Sequence, residues 1–215
     1  MVSGLLRVTS GSVKLDGQEI IGRPGQVGYM LQKDLLLPWR SVLDNIVLGA
    51  ALTRGVTKAD RARAAELATR YGLGDCLHHY PHALSGGMRQ RVALMRTIAA
   101  GRELLLLDEP FGALDSQTRL GMQRWLLQIW RETQRTVLFV THDVDEAIFL
   151  ADRIVVMLPR PGRIGLMLDV DIERPRGLAV FTAPAFTGMK RRIMDVLYSQ
   201  AANTATRHEE MRGEQ

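Results

Sequence analysis

Cysteine is almost missing from this 215-residue chain: Cys76 stands alone, so no intrachain disulfide can form and a reducing cytoplasm fits best. Long apolar runs are missing too. The best candidates, such as Leu104 to Leu107, have strand length and fall well short of the ~20 residues a spanning helix needs. The opening Met1-Val2-Ser3-Gly4 has neither the basic region nor the apolar stretch of a secretory signal. Lysine is scarce, at four of 28 basic residues, and the arginines are scattered among acids apart from Lys190-Arg191-Arg192. The net charge of +5 therefore builds no basic stripe to track a phosphate backbone, and no nucleic-acid partner is expected.

What is present suits a globular α/β protein. With 46% hydrophobic and 24% charged residues, the chain can bury a substantial core. Glycine-punctuated short strands are expected at Ser12-Val13-Lys14-Leu15, Ile20-Ile21 and Val27-Gly28-Tyr29-Met30, with a turn at Asp16-Gly17. From Ser41 to about Gly101 the pattern is helical, and Thr57 followed by Asp60 reads as an N-terminal cap. Leu104 to Asp108 reads as a strand buried on both faces, and Thr136 to Val140 as a second buried strand. Met122, Trp125, Leu126, Ile129 and Trp130 fall on one helical stripe, so both tryptophans are expected in the core. A helix at Val144 to Leu150 and a strand at Arg153 to Met157 complete an alternation that predicts parallel pairing with right-handed crossovers. A tail helix from Pro184 is expected to end in a frayed polar segment.

Four motifs then follow in order. Leu84-Ser85-Gly86-Gly87-Met88-Arg89-Gln90-Arg91 opens a helix whose Met88, Val92, Met95 and Ala99 share a face. Such a start offers backbone N–H groups and a hydroxyl to an anion, or is an ordinary capped helix. Asp108-Glu109-Pro110 puts two acids at the carboxyl edge of a parallel sheet, where ligands bind. One acid can hold magnesium through its water shell while the other addresses a water; alone, the tripeptide is also a plain polar strand exit. Gly112-Ala113-Leu114-Asp115 turns into the next helix, and Thr141-His142-Asp143 closes the following strand. His142 can bond a phosphate oxygen, or be a solvated strand-end residue. Gln32 lies where a strand gives way to Leu35-Leu36-Leu37-Pro38-Trp39 and could sense a metal-bound water.

Taken together, LSGGMRQR, LLLLDEP, GALD, THD and the upstream glutamine resemble the ABC transporter ATPase family over nearly the whole chain. The resemblance implies a P-loop NTPase fold with a parallel core sheet and a helical subdomain, and ATP with Mg2+ as cofactors. It assigns Gln32 to the Q-loop and, with Asp108, to the metal. Ser85, Gly86 and Gly87 become the signature facing a nucleotide held by a partner, Glu109 the general base, Asp115 the inter-subunit acid and His142 the switch residue. Implied partners are a second ATPase subunit, alike or different, integral membrane permease subunits and, indirectly, a solute-binding protein, at the cytoplasmic face of a bacterial inner membrane. Residues 1–36 would be the rest of the N-terminal part, 37–101 the helical subdomain, 102–170 the core sheet and 171–215 the tail. The stretch Gln32 to Trp39 with Asn45, and Arg160-Pro161-Gly162-Arg163-Ile164, resemble importers of nitrate, sulfonates and taurine.

The family's phosphate loop, Gly-x-x-x-x-Gly-Lys-Ser/Thr, does not occur: none of Lys14, Lys33, Lys58 and Lys190 follows a glycine or precedes a serine or threonine. The expectation is a chain that begins partway along the helix after that loop, through a start assigned too far downstream or a true truncation. About four charge-assisted hydrogen bonds would go with it, on the order of 6–12 kcal/mol, against roughly 8 kcal/mol for micromolar binding. The polypeptide alone is therefore expected to bind and hydrolyse ATP poorly. The alternative role is a non-catalytic subunit that lends its Ser85 turn to an intact partner.

Overall fold

The computed structural model describes residues 1–159 and 161–213, with side chains as far as position 199. The chain divides into two units, Met1–Val140 and Thr141–Gln215.

In the first unit, Asp16 and Gly17 both take positive φ (50° and 79°), the geometry of a two-residue hairpin turn. They join β1 (Lys14–Leu15) to β2 (Gln18–Glu19). A parallel sheet follows in the order β3 (Gly28–Met30), β4 (Leu104–Asp108), β5 (Thr136–Val140). Its register pairs Met30 with Leu107 and Asp108 with Val140, so the strands' carboxyl ends lie side by side. On β4, Leu105 and Leu107 are buried and no residue is exposed, as the apolar run predicts. On β5, by contrast, Leu138 and Val140 are exposed, so one face of this strand is uncovered where a buried strand was expected.

Capped helices cover the segment between β3 and β4. Ser41 accepts from the Asp44 amide to start α1 (Val42–Ile46), which runs into α2 (Leu48–Thr53). Thr57 and Asp60 form a full capping box at α3 (Lys58–Arg70), and Arg54 and Arg63 pair with the same carboxylate. Ser85 caps α4 (Gly86–Ala99), which buries Val92, Leu94, Met95 and Ile98; at ~1.5–3 kcal/mol each, these supply up to about 6–12 kcal/mol. Ala99, expected on the buried stripe, is exposed because the last turn overruns the packed surface. Gly28 lets α4 approach β3: a Cβ there would lie 2.9 Å from Leu105 Cδ2 and 3.1 Å from the Thr97 carbonyl oxygen. Helix α5 (Ser116–Thr133) buries Met122, Leu126 and Ile129, with Trp125 and Trp130 only half-buried. Trp125 meets Tyr71 edge-on at 5.4 Å, and the Tyr71 hydroxyl donates to Glu132.

In the second unit, α6 (Val144–Leu150) precedes β6 (Arg153–Leu158) and β7 (Arg163–Asp169). The expectation of parallel pairing fails for β6, which is antiparallel to β7 in its own two-stranded sheet. The short connection over 159–162, long enough for a hairpin and too short for a crossover, makes this pair antiparallel. The RPGRI motif thus spans this connection and enters β7, with Arg160 outside the described residues. Buried Arg176 donates to the carbonyls of Ile148, Phe149, Ala151 and Ile172, closing the end of α6. Burial pushes its guanidinium down to about 10, still protonated at neutral pH. Helix α7 spans Pro184–Gly213, and Lys190 on it pairs with Asp145 at 2.7 Å; the polar end expected to fray lies outside the residues whose side chains are described.

Candidate nucleotide site

Strand β4 delivers its two acids to the carboxyl edge of the sheet. Asp108 ends the strand, half-buried, and its Oδ2 accepts from the Tyr29 hydroxyl at 3.2 Å. Burial and the nearby carboxylate push the Tyr29 phenol up, so it stays a donor at any physiological pH. Glu109 follows at φ 44°, in the left-handed region, and its amide donates to the Val140 carbonyl at 2.9 Å. A glutamate there, directly before Pro110, holds strain of about 1–3 kcal/mol. The backbone turn parts the two acids: the Glu109 carboxylate accepts from Gln32 Nε2 at 3.1 Å while Asp108 turns to Tyr29. Gln32 is thereby brought to Glu109 by its amide nitrogen.

Two residues beyond Gln32, Asp34 is gripped by α4. Arg89 Nε reaches its carboxylate at 3.2 Å and Arg89 Nη1 reaches the Leu84 carbonyl at 2.9 Å. Arg96 bonds the backbone carbonyls of Asp34 and Leu35 at 2.6 and 2.7 Å, holding Leu35 at φ 44°. The Gln32 segment thus connects the acid-bearing edge with the start of α4.

At that start, Ser85 is exposed and its Oγ accepts from the Met88 amide at 3.3 Å. The capped-helix reading of the motif is therefore correct in geometry, and it leaves Gly86 and Gly87 at the open end of a 14-residue helix. Asp115 caps α5 by accepting from the amides of Gln117 (3.1 Å) and Thr118 (3.0 Å), and the Thr118 hydroxyl bonds it too. The hydroxyl bond is the chief cause of a carboxyl held below its ordinary range. His142 lies in the second unit, exposed, between Thr141 and Asp143; Asp143 caps α6 by accepting from the Glu146 amide at 3.1 Å.

The Asp108 carboxylate and the carboxamide oxygen of Gln32 are the kind of oxygen donors a hard cation takes, and magnesium binds through one or two carboxylates plus phosphate oxygens and waters. No group of three or more His, Cys, Asp or Glu side chains is arranged for a metal among the described residues. Sequence reasoning missed Tyr29, Arg89, Arg96 and Thr118. Tyr29, on the strand next to β4, and Arg89, inside the Leu84 to Arg91 motif, carried signals that could have found them.

A family model described as ABC transporter matches residues 1–112. An uncharacterised ABC transporter ATP-binding protein of Methanocaldococcus jannaschii is 44% identical over 92% of this chain and 73% of its own length. A taurine import ATP-binding protein of Rhizobium johnstonii is 41% identical, covering 92% of this chain and 78% of the relative. A nitrate import ATP-binding protein of Synechococcus elongatus is 42% identical over 94% and 76%. Among solved structures, a dimeric ATP-binding cassette in a post-hydrolysis state with ADP and Pi superposes with a TM-score of 0.63 at 26% identity, covering 82% of this chain and 78% of that one. The chain belongs to the ABC transporter family, as an ATPase with the α/β fold of P-loop NTPases.

Proposed function

We propose that this chain is the ATP-hydrolysing subunit of an importer for a small solute such as nitrate, a sulfonate or taurine. It works in a pair, peripheral to the cytoplasmic face of a bacterial inner membrane and attached to permease subunits served by a solute-binding protein. The bond between Gln32 and Glu109 at the end of β4 carries the reading, because it joins the candidate base to the segment that leads toward the exposed Trp39. Taurine and nitrate relatives near 40% identity support the solute class.

In this reading Glu109 accepts the proton of the attacking water, and Gln32 orients its carboxylate. Asp108, fixed by Tyr29, would hold magnesium, whose charge neutralises that developing on the transferred phosphoryl group. Ser85, Gly86 and Gly87 present hydroxyl and amides to a triphosphate bound by the partner, Asp115 faces that partner, and His142 contributes a hydrogen bond to the phosphate side.

Uptake tests the proposal. Removing the gene should abolish accumulation of labelled taurine or nitrate by the source cells, with recovery on re-expression; undiminished uptake of both refutes the solute assignment.

A further inference from the structure

Two of the assigned elements meet through a residue that no motif contains. Thr118 sits in the first turn of α5, its hydroxyl and amide both bonded to Asp115. A β-branched side chain has few χ1 choices, and the hydroxyl bond selects among them, so the direction of the methyl is set as well. That methyl lies over the start of α4: a Cβ placed on Gly87 would stand 2.8 Å from Thr118 Cγ2. Real Cβ atoms do not approach so closely, and the methyl cannot swing away without giving up the Asp115 bond. Gly87 is therefore a glycine for reasons of space within its own chain, separately from anything it offers a phosphate.

We propose that Thr118 is a positioning residue that locks the Ser85-Gly86-Gly87 turn to the Asp115 cap, so that displacing one displaces the other. This rests on the reading that both elements face a partner subunit. A triphosphate pressing on the turn at one shared site then shifts Asp115 of the same chain, and the occupancy of one site is felt at the contact Asp115 makes.

The test is amide hydrogen exchange on the 215-residue chain, without nucleotide, in Gly87→Ala, Thr118→Ser and the double variant. Gly87→Ala should speed exchange at the Gln117 and Thr118 amides, on the other helix, by about tenfold, the scale of local overpacking. Thr118→Ser keeps the hydroxyl and removes the methyl. Alone it should leave these amides near wild type, and combined with Gly87→Ala it should return them to within about twofold. An effect of Gly87→Ala confined to Met88, or no rescue in the double variant, overturns the proposal. Should Gly87→Ala fail to fold, recovery of folding in the double variant supports the lock and continued failure refutes it. Because no nucleotide is used, the lock can fail while the ATPase reading stands, and Ser85-dependent hydrolysis with an intact subunit tests that reading separately.

Discussion

Replacing Asn45 with alanine should unpin the loop that displays Trp39. Asn45 is fully buried on α1, and its Oδ1 accepts from the Leu37 amide at 2.8 Å. Its Nδ2 donates to the carbonyls of Leu37, Arg40 and Ser41 at 3.2, 3.1 and 3.0 Å. Two of those carbonyls keep other donors, Leu37 from the Arg40 amide and Ser41 from the Asn45 amide. The alanine variant therefore orphans mainly the Leu37 amide and the Arg40 carbonyl. At ~1–3 kcal/mol for each unsatisfied group, partly relieved by water, the loss is about 3 kcal/mol. For a unit of this size that lowers Tm by roughly 6–12 °C. The loop's other end is held by Arg96, so the damage should concentrate between Leu37 and Ser41. Calorimetry gives the Tm, and exchange at the Leu37 amide reports the loop. A Tm drop under about 2 °C with Leu37 protection unchanged would refute the reasoning, since buried polar groups cannot lose their partners at no cost.

Glu109→Gly should leave stability equal or raise it by up to about 1 kcal/mol, because glycine takes positive φ without strain, while removing the proposed base; urea titration that finds marked destabilisation contradicts the strain at φ 44°. Burial, then the Glu132 bond, pushes the Tyr71 phenol up to about 12. The fold favours the neutral form, so this contribution is whole below pH 10 and fades as pH rises from 10 to about 12; Tyr71→Phe should remove that part of the stability–pH curve, read by denaturant titration at each pH. Arg176→Met should cost the second unit about 3 kcal/mol or more by stranding buried carbonyls around the end of α6, seen as early loss of protection at α6.

The fold was legible where patterns were local. The apolar run of β4, the Thr57 and Asp60 cap and the stripe of α5 each depend on neighbours in sequence, and each forms. Partner choice is not local: β6 reads like another buried parallel strand, yet it pairs antiparallel with β7 across a four-residue connection. Solvent exposure of β5 likewise depends on what covers its face, which its own apolar run cannot reveal. At the site, motif residues were readable by type and order, whereas their fixers were not. Arg89, Arg96 and Thr118 look like surface residues of helices until packing brings α4 against the Asp34 segment and Gly87 against α5.

Mixing this chain with an intact ATPase subunit of the same family, and measuring Mg-ATP hydrolysis with wild-type Ser85 and with Ser85→Arg, addresses the shared-site claim most directly. The account predicts hydrolysis that rises as wild-type chain is added and falls by a factor on the order of 100 when arginine fills the turn. Hydrolysis indifferent to residue 85 would contradict it.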